Sequence, residues 1–193
     1  MIADVAKDFL HNELRDLRKA MVWKLEGLKE YDIRRPLTVT GTNLLGLVKH
    51  VSLWESRYFG EVFDRPFPEP LPRWDDATQR GADMWATEHE TREEIIDRYR
   101  RVWAHSDATI TALAIDSSGH VPWWRNPEVK LFNIMVHMLG ETSRHAGHAD
   151  ILREQLDGSI GTIAARAKSQ PDAAFWETQR AQIERAAKAA ANA

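Results

Sequence analysis

One stretch of the chain, residues 134–148, combines ionisable side chains with the apolar spacing of a helix. Because successive residues turn by roughly 100° about a helix axis, His145 lies roughly 40° to one side of Glu141. His148 and His137 lie roughly 20° and 40° to the other side. The apolar residues of the stretch fall around the same direction, so these four groups belong to a buried face. An unpaired carboxylate there is costly, and Glu141 therefore needs a partner.

A divalent metal ion is one such partner. Side chains four residues apart on a helix have Cβ atoms about 5–6 Å apart, which lets Glu141 and His145 reach one ion. We predict His50 as the third ligand, because Leu47 and Trp54, about one turn to either side, have the character of core residues. Two nitrogens and one oxygen suit zinc, and also nickel, iron or manganese, and leave coordination positions open. Two alternatives remain: a buried Glu141–His145 hydrogen bond, and an ordinary core role for His50.

The other two histidines of the stretch, His137 and His148, are predicted to lie outside the ligand set. They would act as hydrogen-bonding residues or as proton acceptors. Metal-bound imidazoles need an outer hydrogen-bond partner, for which Asp150, Glu55 and Arg144 are candidates. The remaining histidines have no partner at a useful spacing and are expected at the surface or at helix caps: His11, His89, His105 and His120.

Helices must hold these residues, and the sequence predicts five. They run from Val5 to Leu28, from Thr42 to Tyr58, from Thr91 to Leu113, from Val129 to Asp157, and from Pro171 into an Ala-rich end. The first is expected to end before Arg35-Pro36. Thr91 to Glu94 has the form of a capping box, and Gly158 suits a C-cap.

The connections between the helices are equally readable. Four of the eight prolines lie between Glu61 and Arg73, which predicts an extended crossover. The loop before the fourth long helix carries Trp123 and Trp124, which we expect to pack in the ordinary way, although they could roof a pocket. No strand is predicted. The fold class is therefore all-α: a four-helix bundle with a long crossover over residues 1–158, followed by an extension, 159–193, with a short helix.

Composition limits the function classes. The chain has 193 residues and a formal net charge of -3, with no basic stripe for nucleic acid or membrane surfaces. It contains no cysteine, so disulfides, zinc–thiolate sites and a protein thiol nucleophile are excluded. The charged start is unlike a signal peptide, and no apolar stretch is long enough to cross a bilayer. We therefore expect a cytoplasmic protein.

Two segments resemble a known family. Gly41–His50 (GTNLLGLVKH) resembles the second helix of the DinB-like proteins, and Glu141–Glu154 (ETSRHAGHADILRE) resembles their last bundle helix. The resemblance is closest to an actinobacterial-type branch. It implies a four-helix bundle with a long crossover, often dimeric, that holds a metal through three side chains. Many relatives carry histidine where this chain has Glu141, whereas the mycothiol-dependent maleylpyruvate isomerase holds zinc with two histidines and one glutamate. The resemblance thus also implies His50, Glu141 and His145.

Some members of this family use low-molecular-weight thiols such as mycothiol or bacillithiol. The resemblance therefore favours a metal-dependent S-transferase that acts on a small-molecule substrate, with an expected homodimer. The extra C-terminal domain of the isomerase has no counterpart here, so maleylpyruvate isomerisation does not transfer. Two other functions stay open: metal-assisted hydrolysis, and a noncatalytic metal- or ligand-binding stress protein. The C-terminal helix could equally cap its own bundle.

Overall fold

The computed structural model describes residues 2–72, 76–163 and 170–191, and it is built mainly from helices. The helices are α1 (Ile2–Trp23), α2 (Glu30–Arg34), α3 (Leu44–Phe59), α4 (Arg92–Ala112), α5 (Leu131–Asp157) and α6 (Ala173–Ala191). Two short 3₁₀ turns cover Glu61–Phe63 and Ala77–Gln79, and two strands form β1 (Ser118–His120) and β2 (Glu128–Lys130). The predicted all-α class is confirmed. Among the described residues, no helix is long and apolar enough to cross a membrane.

Helix α3 is the centre of the bundle. It contacts α4 on one side and α5 on the other, and α1 packs against α5. Of its 16 residues, 14 are buried, and these include the charged side chains of Lys49, Glu55 and Arg57. Residue numbers rise along α3 and fall along α5 where the two helices meet, since His50 faces His145 and Tyr58 faces His137. The two helices are therefore antiparallel.

The predicted helix starts and stops are largely confirmed. The Asn43 side chain accepts a hydrogen bond from the Gly46 backbone N–H at 2.8 Å and so begins α3. Thr91 and Glu94 form the complete capping box of α4. Gly158 ends α5 with φ 75°, in the left-handed conformation that glycine adopts without strain.

The first predicted helix is too long. Helix α1 ends at Trp23, a turn follows in which Gly27 has φ 75°, and α2 is a separate short helix. Arg153 of α5 explains the break, because its guanidinium donates to the carbonyls of Lys24 and Glu26 at 2.9 and 2.8 Å. These bonds satisfy carbonyl groups that a continuing helix would have used.

The prediction that the chain has no strand is also wrong. Strands β1 and β2 pair antiparallel in front of α5, with His120 opposite Glu128. Three-residue strands are too short to produce a visible alternation of apolar and polar residues. The ribbon folds the intervening loop, which carries Trp123 and Trp124, back towards the bundle.

Helix α6 stands apart from the core. None of its side chains is buried. The expectation that it caps the bundle is therefore not supported within the described residues 173–191.

Candidate metal centre

The structure brings His50 of α3 together with Glu141 and His145 of α5. One ligand atom from each lies within 4.8 Å of the other two. His145 Nε2 is 3.0 Å from Glu141 Oε1, and His50 Nε2 is 3.8 Å from the same oxygen. Donor atoms around a tetrahedral ion with bonds of about 2.0–2.1 Å lie about 3.3 Å apart. The two distances to Glu141 are therefore close to the spacing that one ion requires, and the two histidine nitrogens lie within 4.8 Å of each other.

The three side chains are largely shielded from solvent without being sealed off. The side chains of His145, His50 and Glu141 are 11%, 13% and 24% exposed, respectively. An imidazole or carboxylate at this depth loses most of its water contacts, which favours a direct partner over hydration. The remaining exposure leaves access for a small molecule.

Asp83 orients His50. Its Oδ2 lies 2.7 Å from His50 Nδ1. Two effects oppose each other here: the hydrogen bond from His50 lowers the pKa of Asp83 and burial raises it, and the net pKa lies below its ordinary value. An ionised Asp83 can only accept, so a neutral His50 imidazole paired with it has its proton on Nδ1 and its lone pair on Nε2. That lone pair is on the nitrogen that faces Glu141, which is the tautomer a metal ligand needs.

The backbone around Asp83 packs closely against the first turns of α3. A Cβ on Gly46 would lie 1.9 Å from the Met84 carbonyl oxygen, so only glycine permits this close approach. Lys49 Nζ donates to the Trp85 carbonyl at 3.0 Å, on the other side of Met84. The GTNLLGLVKH segment therefore supplies a candidate ligand and also the contact surface for the residue that orients it.

The protonation states of the two α5 residues suit metal binding. Burial acts to raise the pKa of Glu141, but the hydrogen bond and charge of His145, the charge of His50 and that of Arg144 outweigh it, and the pKa lies below its ordinary value. Burial lowers the pKa of His145, and the adjacent His50 lowers it further. At neutral pH the carboxylate is ionised and the His145 imidazole is neutral, as a metal site requires.

The two remaining histidines of α5 occupy different surroundings. His137 lies half-buried one turn before Glu141, with its ring 4.6 Å from that of Tyr58 and 4.8 Å from that of Trp124. Burial lowers the pKa of His137, so its imidazole is neutral at pH 7. His148 is exposed, so its predicted place on the buried face is wrong, and its ring lies 5.5 Å from that of His145. Both stand beside the three donors, outside the group that converges.

Two of the three outer partners suggested by the sequence are occupied elsewhere. Glu55 is fully buried and binds Arg18, and Asp150 pairs with Lys24 at 2.5 Å. The third, Arg144, lies against a candidate ligand, with its Nη1 3.9 Å from Glu141 Oε2. Asp83, in the segment between α3 and α4, is instead the outer hydrogen-bond partner of His50. No regular spacing in sequence links Asp83 to His50, so the sequence carried no signal for it.

One expected surface histidine is buried. His11 on α1 is 8% exposed, and its Nε2 lies 2.7 Å from Asp107 Oδ1 on α4. Arg18 also binds the Asp107 carboxylate, at 2.6 Å, and it binds the Glu55 carboxylate at 2.7 Å. The placement of His11 at the surface or a cap was wrong because its partner is 96 residues away in the chain.

Comparison with known proteins places the chain in a family. It matches the family model described as MST, mycothiol-S-transferase, over residues 9–158. The chain belongs to this family, which is part of the DinB-like superfamily, and the resemblance is confirmed. The three converging side chains and Asp83 all lie inside the matched range. A search of curated proteins gave no match.

Proposed function

We propose that this protein is a metal-dependent S-transferase that joins a low-molecular-weight thiol to a small electrophile. The observation that carries the proposal is the convergence of His50, Glu141 and His145 within 4.8 Å on facing helices. Hydrogen bonding explains only part of this convergence. The 3.0 Å separation of His145 and Glu141 fits such a bond, but the 3.8 Å from His50 Nε2 to the same oxygen is too long. A shared ion gives all three atoms a reason to face one point.

The donor set fits a divalent metal. Two imidazole nitrogens and one carboxylate oxygen match catalytic zinc sites, and nickel, iron or manganese would also accept them. Three protein ligands leave at least one coordination position for an exogenous group. A bound divalent ion would supply Lewis acidity that lowers the pKa of a thiol held beside it.

The thiol must come from outside the chain, because the chain has no cysteine. The family description names mycothiol, and bacillithiol is a second thiol of this kind. His50, Glu141 and His145 would hold the metal, and Asp83 would fix the His50 ring. His137 and His148 would serve as proton acceptors for the thiol hydrogen, with His137 supported by its lowered pKa and its half-buried position near Glu141.

A metal analysis followed by an activity assay tests this function. Purified protein should contain about one divalent ion per chain. It should also conjugate mycothiol to an electrophile faster than the uncatalysed reaction. His145→Ala should abolish both properties, whereas His89→Ala, at a histidine whose side chain is 87% exposed, should change neither.

Three other results would each contradict the proposal. Metal-dependent stability without turnover would indicate the noncatalytic binding protein. Ester hydrolysis without any thiol would indicate the hydrolase. If the purified protein neither contained nor bound zinc, nickel, iron or manganese, the assignment of the metal site itself would be contradicted.

We also propose that the chain works as a cytoplasmic homodimer. Three large apolar side chains at the start of α1 are exposed, namely Ile2 at 87%, Val5 at 69% and Phe9 at 61%. Burial of such a patch against a second copy is favourable, and patches of this kind mark association sites. Light scattering should give about twice the chain mass, and Phe9→Glu should shift the population to monomer.

A further inference from the structure

We infer that the aromatic side chains beside the three donors form a binding wall for a flat, apolar electrophile. This wall consists of the part-buried rings of Trp54, Trp123, Trp124 and His137, which pack around the buried ring of Tyr58. The inference deepens the proposed function and rests on it, because it names the class of the second substrate.

The wall begins next to the ligand candidates. The ring of Trp54 lies 6.2 Å from that of His50, and Trp123 lies 6.0 Å from Trp54. From there the rings continue through Tyr58, 5.6 Å from Trp123, to His137, 4.6 Å from Tyr58. A planar molecule on this surface would therefore reach the donors with one edge.

The polar edges of the three indoles are turned inward. Trp123 and Trp124 both donate their N–H groups to the Tyr58 hydroxyl at 3.2 Å. The Trp54 side chain hydrogen-bonds to Asp83, and the indole N–H is its only donor. All three indoles are only part-buried. With their N–H groups occupied, they present hydrocarbon rings to whatever approaches.

This arrangement favours an aromatic ligand over a sugar. Sugar-binding sites can also use aromatic surfaces, but the hydroxyl groups of a sugar lose hydrogen bonds to water and need replacements. Here the Tyr58 hydroxyl oxygen already accepts two N–H groups, and Asp83 is bound to His50 and Trp54, so the imidazole of His137 is the polar group that the wall itself presents. A flat apolar ring loses no hydrogen bonds on this wall and gains stacking contacts. The thiol cofactor, if it carries a sugar, would lie elsewhere.

Chlorodinitrobenzene is a suitable test electrophile. The thiolate sulfur attacks the ring carbon that bears chlorine, a carbon–sulfur bond forms, and chloride leaves with the electron pair of the carbon–chlorine bond. The thiol proton passes to a base and then to solvent. No oxidant or reductant is needed. Iodoacetamide is the matched aliphatic electrophile, since it also loses a halide but has no ring, and neither compound meets a cysteine in this chain.

The kinetic test compares Trp123→Leu with Trp176→Leu in the zinc-loaded full-length protein. Trp176 lies on α6, outside the matched range 9–158, and is also part-exposed. Loss of one stacked ring should raise KM for chlorodinitrobenzene about 3- to 10-fold in Trp123→Leu. The KM for mycothiol and the rate with iodoacetamide should stay at the wild-type value, and Trp176→Leu should match wild type throughout. A rise in KM for mycothiol alone would assign the wall to the thiol and overturn the inference.

A binding test on the wild-type protein does not depend on turnover or on a variant folding. Unreactive dinitrobenzene, added without thiol, should shift the indole N–H resonances of Trp54, Trp123 and Trp124, and leave that of Trp176 in place. Resonance shifts without any conjugating activity would support the aromatic wall as a binding surface but contradict the proposed transferase activity. Conjugating activity with no indole shifts, and no loss in Trp123→Leu, would keep the transferase and refute the wall.

Discussion

Replacement of Asp83 by asparagine probes how the candidate site holds its histidine from α3. The substitution preserves the shape of the side chain but removes the charge that faces His50 Nδ1 at 2.7 Å. An ionised carboxylate can only accept at this position and therefore fixes the proton on Nδ1, whereas an amide can present either oxygen or NH₂. We expect the variant to fold and to bind zinc more weakly.

The size of the effect follows from the role of such partners. Loss of an outer hydrogen-bond partner weakens metal binding about 10- to 100-fold, or about 1.4–2.7 kcal/mol. At a zinc concentration 100 times the wild-type Kd, the bound ion stabilises the wild type by about 2.7 kcal/mol and the variant by about 0.4–1.4 kcal/mol. For a domain of this size 1 kcal/mol corresponds to about 2–4 °C. The zinc-dependent rise in Tm should thus fall from about 5–11 °C to half of that or less.

Thermal unfolding with and without zinc, together with a competition titration against a chelator, measures both quantities. The metal-free Tm of Asp83→Asn, taken in EDTA, separates any loss of packing from loss of the ion. Asp97→Asn is the matched control, because Asp97 pairs with Arg100 on the exposed surface of α4. If Asp83→Asn and Asp97→Asn bound zinc as tightly as the wild type, the orientation of His50 by Asp83 would have no energetic role.

Three further predictions address the fold and the site. Glu55→Gln removes the charge of a fully buried carboxylate and should destabilise the protein by about 3 kcal/mol in urea unfolding, whereas Glu69→Gln, at a surface pair, should cost at most about 1 kcal/mol. Because burial holds the folded-state pKa of His145 below the ordinary histidine value, the metal-free protein should lose stability as pH falls through the unfolded and then the folded pKa. His145→Ala should reduce that loss, and an unchanged pH profile would contradict the assignment. A chain that ends at residue 163 should keep its zinc affinity and lie within about 0.5 kcal/mol of the full chain in unfolding free energy, since α6 buries no side chain.

The helical architecture was readable because its signals are local. The Asn43 cap, the Thr91 capping box and the Gly158 stop each depend on residues within one helical turn. Apolar periodicity alone extends the first helix past Gly27 and does not show the break after α1, although a glycine near the end of a helix is itself a stop signal. The ribbon of β1 and β2 gave no signal, since three residues do not establish a period.

The residues of the candidate site also divide into those that local sequence patterns predict and those that depend on tertiary contacts. Glu141 and His145 lie on one helix, so their convergence followed from the helical repeat, and His50 followed from its core-facing neighbours. Asp83 lies on an irregular segment with no period, 33 residues from its partner. Likewise, His11 and Asp107 meet only after α1 and α4 have packed. Contacts of this kind depend on tertiary structure, which a pattern within one segment does not encode.

Asp83, which sequence patterns did not predict, also connects the candidate metal site to the aromatic wall. Asp83 accepts from His50, a candidate metal ligand, and from Trp54, the first ring of the aromatic wall. One carboxylate thereby fixes the lone pair that would bind the metal and turns the polar edge of the adjacent indole inward. In the proposed transferase, this couples the position of the activated thiol to the surface that receives the electrophile. Orientation of two reactants by one rigid group is a recognised source of rate acceleration, because it removes relative motion before reaction.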